Sequence, residues 1–159
     1  MGCAALNLSK ALEGVQQIAL DTAPLIYFIE RHPAYFERMM LIMRSVDPGV
    51  MRAVSSTITL AEVLVQPLRT EDSDLAKQYE EVLTNSRNFR LEPVTTSIAR
   101  LAASLRGRYA LKMPDALHVA TAIEAGCDAF LTNDAAIKRV TEITVLILDE
   151  LELEEPRED

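Results

Sequence analysis

The sequence predicts an α/β fold, a three-layer sandwich in which helices cover both faces of a central, mostly parallel, five-stranded sheet. Three observations predict it. Short apolar runs recur five times along the 159 residues, each followed or preceded by a stretch with helical spacing, and that alternation implies parallel strands joined by crossover helices. Two of the runs, 128–132 (DAFLT) and 144–149 (TVLILD), are almost continuously apolar, as strands buried on both faces of a parallel sheet are. Residues of hydrophobic type make up 49% of the chain, enough to fill a core on each side of the sheet.

In chain order, 16–21 (QQIALD) reads as the first strand and 22–30 (TAPLIYFIE) as a short helix broken near His32-Pro33. The stretch 34–46 (AYFERMMLIMRSV) has Phe36, Met40 and Met43 at helical spacing and is stopped by Asp47-Pro48-Gly49. It can pack into the core or against a partner. Residues 52–58 (RAVSSTI) form a second strand, followed by a helix over 59–66 that Pro67 ends. A polar-faced helix covers 73–86, a third strand 89–94 (FRLEPV), and a further helix 96–109. Pro114 opens the next helix and Gly126 caps it. The fourth strand is 128–132, a short helix spans 133–140, and the fifth strand is 144–149. Residues 1–15 thus form an N-terminal extension, 16–149 one domain, and 150–159 an acidic tail.

The formal net charge is −8, yet from Asp149 onward seven acids and one Arg carry −6 of it. The body is nearly balanced, so charge alone neither demands nor forbids a nucleic-acid partner. Twelve of the sixteen basic residues are Arg, the side chain suited to bidentate phosphate contacts. Two cysteines, Cys3 and Cys127, without metal-type spacing fit a reducing compartment. No apolar run approaches the ~20 residues of a membrane span, and the first residues lack the pattern of a secretory signal. The expectation is a cytoplasmic protein with no membrane partner.

Chemistry concentrates at the strand–helix junctions. Asp21 ends the first strand, Glu62 lies one turn beyond the second, Asp134 follows the fourth, and Asp115 opens the helix after Pro114. Each also has a purely structural reading. Asp21 can mark a turn, Thr59 and Glu62 form a capping-box pattern, Asp115 sits where a helix dipole favours an acid, and Asn133 or Asp134 can cap a helix. In a doubly wound sheet, however, three of these junctions fall on one edge by topology. Four carboxylates there would repel one another unless a cation compensates them, and an all-oxygen set favours Mg²⁺ or Mn²⁺ over Zn²⁺. His118, three residues after Asp115, reads as a wall of that site rather than a ligand. Just upstream, Arg106, Arg108 and Lys112 offer charge for a phosphate backbone and Tyr109 a face for a base. The bland alternative is a solvated helix end.

The segments LDTAPLIYFIE, TLAEVL and LKMPDALHVATAIEAGCDAFLTND, in this order, resemble the PIN domain family. They look most like VapC-type toxins of prokaryotic toxin–antitoxin pairs and their free-standing relatives. By that resemblance Asp21, Glu62, Asp115 and Asp134 match the family's four acidic positions, Thr132 its hydroxyl and Thr22 the small polar residue after the first acid. Thr132, Thr22, Asn133 and His118 would support the acids. The resemblance implies an α/β/α sandwich, Mg²⁺ or Mn²⁺, hydrolysis of RNA phosphodiesters (tRNA or mRNA), a homodimer and a covering antitoxin. The chain departs from the pattern in its extension of about 15 residues before the first strand and at Ala136 and Ile137, where relatives often carry another acid and an aromatic.

Two other classes are open on sequence grounds. One is a non-catalytic PIN-like module that binds RNA or a partner, which the presence of all four acids argues against. The other is a phospho-acceptor domain. Such domains pair acids in or beside the first strand, whereas here Ile18, Ala19 and Leu20 precede Asp21 and Ala23 stands two beyond it.

Overall fold

The computed structural model describes residues 5–154, so Cys3 and the last five residues of the acidic tail lie outside the described residues. The elements are β1 (Leu6–Asn7), α1 (Leu8–Ala11), β2 (Gln17–Leu20), α2 (Thr22–Ile29), α3 (Phe36–Val46), β3 (Arg52–Ser56), α4 (Thr57–Arg69), α5 (Ser73–Asn85), β4 (Phe89–Glu92), α6 (Thr96–Tyr109), α7 (Met113–Glu124), β5 (Ala129–Thr132), β6 (Thr144–Ile147) and β7 (Leu151–Glu152). Short 3₁₀ turns occupy Ala135–Arg139 and Leu148–Glu150.

The main sheet has five strands, all parallel, in the order β4-β3-β2-β5-β6. The strand residues alternate between two cores. Ile18, Leu20, Ala129 and Leu131 face a layer that includes Leu25, Met39, Ile42 and Leu83. Ala19 and Phe130 face the other, with Ala102, Leu105, Val119 and Ala120. Burial on both faces explains why these strands read as unbroken apolar runs. The chain builds outward from β2 to β3 and β4, then crosses to β5 on the other side of β2. The crevice between the carboxyl ends of β2 and β5 is therefore the topological switch point, where open α/β sheets place their sites.

Several boundaries differ from the sequence reading for identifiable reasons. The second strand ends at Ser56, not residue 58, because Ser56 caps α4 by accepting from the Ile58 amide. Pro67 does not end that helix. It lies inside the last turn and α4 closes through Thr70 N–H to the Gln66 carbonyl. In α3 the buried face is Met39, Ile42 and Val46, while Phe36, Met40 and Met43 are half-buried. The fifth strand stops at Ile147, since Leu148–Glu150 turns the chain into β7. β7 pairs in parallel with β1, and Leu8 and Leu151 are both buried in the main core. No helix among the described residues is long and apolar enough to cross a membrane.

Candidate active site

Asp21 follows β2 directly. Its amide still donates to the Leu131 carbonyl at 2.9 Å, continuing the pairing with β5, while its extended backbone makes it the N-cap of α2. Asp21 is only 8% exposed. Oδ1 accepts from the Thr22 amide at 2.8 Å and Oδ2 from the Thr132 hydroxyl at 2.8 Å. The turn role and a hydrogen bond across to β5 therefore coexist in one residue.

Thr132 is fully buried at the end of β5. It has one hydroxyl hydrogen, given to Asp21, so its oxygen is left to accept from the Asp134 amide, 3.1 Å away. Asp134 is exposed, and its Oδ1 accepts from the Ala136 amide at 2.9 Å, which caps the following 3₁₀ turn. Asn133 between them bridges two elements. Its Oδ1 accepts from the Asp149 amide at 2.9 Å and its Nδ2 reaches the Tyr27 hydroxyl at 3.4 Å.

Opposite Asp21, Thr22 donates to Glu62 Oε1 at 3.0 Å. Having given its hydrogen away, it accepts from Thr59, whose hydroxyl is 3.0 Å distant and wholly buried. Thr59 is thus an interior residue of α4, and the capping-box reading of Thr59 and Glu62 does not hold. His118 on α7 is 3% exposed, with Nε2 2.6 Å from Glu62 Oε1, 3.8 Å from Asp21 Oδ1 and 3.4 Å from the Thr22 hydroxyl. An ionised carboxylate only accepts, so Nε2 carries the hydrogen. Burial works against charge on this ring, but the Glu62 hydrogen bond and the charges of Asp21, Glu62 and Asp115 outweigh it and hold its pKa above the ordinary value. The His118 hydrogen bond holds Glu62 below the usual carboxylate range, against the effect of burial and with help from the His118 charge and the Thr22 hydroxyl.

Asp115 sits in the first turn of α7 after Pro114. Among the described residues nothing donates a hydrogen bond to its carboxylate. Burial pushes its pKa up, and so do the charges of Asp21 and Asp134, with His118 and Lys112 pulling the other way. Negative charge is therefore under-compensated at this edge. Among the described residues no three His, Cys, Asp or Glu side chains are arranged so that they could hold a metal ion as they stand. The donor chemistry, carboxylate oxygens alone, is that of a hard divalent cation.

The basic residues expected to meet RNA are already engaged in part. Arg106 donates to the Leu111 carbonyl at 3.1 Å, closing the left-handed turn at Ala110. Arg108 and the Tyr109 hydroxyl both reach Glu142 Oε1 at 2.7 Å. Lys112 is exposed and its charge acts on Asp115. Tyr27 escaped sequence reading and Thr59 was read only as a cap, because their roles depend on partners far away in the chain.

A family model described as "PIN domain" matches residues 18–143. No curated protein matches the chain in sequence. Solved structures do share the fold. A toxin–antitoxin complex from Klebsiella pneumoniae is similar with TM-score 0.65 at 21% identity, covering 82% of this chain and 97% of that one. FitAcB from Neisseria gonorrhoeae gives 0.62 at 22%, with 83% and 98% covered. Mycobacterium tuberculosis VapC20, a Sarcin-Ricin loop cleaving toxin, gives 0.62 at 18%, with 80% and 98% covered.

Proposed function

The chain belongs to the PIN domain family, and from that premise we propose that it is a metal-dependent endoribonuclease of the VapC toxin kind. One observation supports the reading: Asp21 ends β2 at the switch point, with His118 3.8 Å from its Oδ1 and 2.6 Å from Glu62 Oε1, while burial first and then the charges of Asp21 and Asp134 push the Asp115 carboxyl up. The nature of the structural neighbours supports it, since one is a Sarcin-Ricin loop cleaving toxin and another a toxin–antitoxin complex.

Asp21, Asp115 and Asp134 would hold Mg²⁺ or Mn²⁺, with Glu62 adding a fourth carboxylate to the site. Convergence on a cation needs side-chain rotation from the present arrangement, and the Asp115 carboxylate, without a hydrogen bond among the described residues, is the one that moves most cheaply. The bound cation supplies charge neutralisation at the phosphate and a more acidic water. The chain's own residues do the rest. Thr132 fixes Asp21 and the Asp134 backbone relative to each other. Glu62, kept ionised and oriented by His118 and Thr22, aligns the attacking water by accepting its hydrogen bond. The water oxygen bonds to phosphorus and gives up a proton to solvent, the bond from phosphorus to the 3′-oxygen breaks, and that oxygen takes a proton from solvent. The products are a 5′-phosphate and a 3′-hydroxyl. Lys112 draws the substrate phosphates towards the edge. A cognate antitoxin that covers the groove, a homodimer and a cytoplasmic setting complete the proposal.

The test is cleavage of a pool containing total tRNA and mRNA by purified protein. Cleavage that EDTA abolishes and Mg²⁺ or Mn²⁺ restores is expected, as is growth arrest in a bacterium expressing the chain but not its Asp115→Asn form at equal level. Protein that binds the metal yet cuts no RNA in the pool would make this a non-catalytic binding module.

A further inference from the structure

The turn between α2 and α3 carries a cluster that the carboxylate edge does not use. Arg31 adopts a left-handed backbone, φ 53°, a conformation that a residue with a long side chain takes at a cost. It folds the chain back so that the His32 amide donates to the Tyr27 carbonyl at 2.9 Å and the Phe36 amide to the His32 carbonyl at 2.9 Å. Three rings are thereby gathered. Tyr27 and Tyr35 stack with centroids 4.7 Å apart, and His32 lies 4.8 Å from Tyr27 and 5.0 Å from Tyr35. All three are half-buried rather than core residues.

Two further features separate this cluster from ordinary packing. The Arg38 guanidinium stands 5.4 Å from the Tyr35 ring centroid and makes no ion pair among the described residues. Its Nε is buried with no hydrogen-bond partner, while one Nη donates to the Ala34 carbonyl at 3.2 Å. A guanidinium without an ion pair beside stacked rings has the chemistry of a nucleotide subsite, the rings suited to a base and the guanidinium to a phosphate. The cluster is also tied to the carboxylate edge. The Tyr27 hydroxyl contacts Asn133, the neighbour of Asp134, and the Tyr35 hydroxyl donates to Asp149 at 2.7 Å.

We propose that Tyr27, His32, Tyr35 and Arg38 form a base-stacking subsite for the nucleotide of single-stranded RNA next to the one cleaved. The inference rests on the nuclease reading and deepens it. The stack makes the enzyme require an unpaired base at one position without dictating which base, because every base has a face to stack. The backbone bonds of the turn hold the rings in place before RNA arrives, so little ordering is left to do on binding.

The experiment measures binding of a fluorescein-labelled single-stranded RNA decamer with Mg²⁺ present, using Asp115→Asn protein to prevent turnover. Adding Tyr35→Ala should weaken binding about fivefold or more, and His32→Ala should act in the same direction. Tyr35→Phe keeps the stacking face and should bind as the parent does. Arg38→Gln should flatten the log–log salt dependence by about 0.7. A series of decamers with one abasic nucleotide each should show one position where losing the base matters to the parent protein and not to Tyr35→Ala. With the catalytic carboxylate intact, Tyr35→Ala should raise KM and spare kcat. If Tyr35→Ala fails to fold by circular dichroism, the abasic series on the parent and on His32→Ala decides. Equal binding by all variants, or a flat abasic series while wild type still cleaves RNA, overturns the subsite and leaves the nuclease standing. If wild type cleaves nothing and the parent binds no decamer, both fall together.

Discussion

Thr132 gives its only hydroxyl hydrogen to Asp21, 2.8 Å away, across the switch point of the sheet. The same oxygen accepts from the Asp134 amide, so one buried side chain sets two acids in register. Thr132→Val keeps the shape and removes both bonds. We expect a loss of about 1–3 kcal/mol in unfolding free energy, measured by urea titration, with RNA cleavage falling further than stability alone explains.

Asp115 is the acid whose charge is least compensated. Its folded pKa is raised, so the native state favours its protonated form. The stability this contributes is present below the unfolded pKa and is lost as pH rises through the folded one. At neutral pH in EDTA, Asp115→Asn should therefore melt at or above the wild-type midpoint. That advantage should vanish as the pH is taken below the carboxylate range. A clear destabilisation at neutral pH would return Asp115 to a helix-dipole role.

Glu62 and His118 give a different window. Glu62 is depressed from 4.5, so its contribution is present above that value and lost as pH falls through its folded pKa. His118 is raised from 6.5, so its contribution is complete below that value and lost as pH rises through its folded pKa. In metal-free protein, the stability difference between wild type and Glu62→Gln should peak between the two unfolded values and shrink on either side. Thermal melts across pH 3–9 (about that span is needed to pass both groups) would show it, and a pH-independent difference would contradict the pairing.

Lys112 and Arg108 should separate on RNA. Arg108 is occupied by Glu142, whereas Lys112 projects its charge onto the site. Lys112→Ala should reduce the salt slope of RNA binding by about 0.7, and Arg108→Ala should change it little. The reverse order would place the RNA path over Glu142 instead.

Much of this arrangement was legible in the sequence. β2 and β5 announced themselves because burial on both faces forces continuous apolar runs, and the acids stood out because charge beside such runs needs a reason. What was hidden depends on tertiary partners. Thr59 imitates a helix cap until Thr22, remote in sequence, claims its hydroxyl. The β1–β7 pair is two residues per strand, too short to show any period, yet it brings Leu8 into the core. Pro67 misleads because, although it cannot donate to the Val63 carbonyl, α4 runs on past it to Arg69 and closes with the Thr70 amide on the Gln66 carbonyl. The engagement of Arg108 could not be read, since Glu142 meets it only through the fold, and that of Arg106 depends on the left-handed turn at Ala110 that brings the Leu111 carbonyl back to it.

The most direct test is a thermal-unfolding titration with Mg²⁺ and with Mn²⁺ on wild type, Asp21→Asn and Asp115→Asn. A cation bound only by the native state raises the midpoint through linkage. If the four carboxylates form a cation site, the wild-type midpoint rises with either ion and rises less in both variants. If neither ion moves the wild-type midpoint and both variants are destabilised in EDTA, the acids are turn and cap residues and the cation site does not exist.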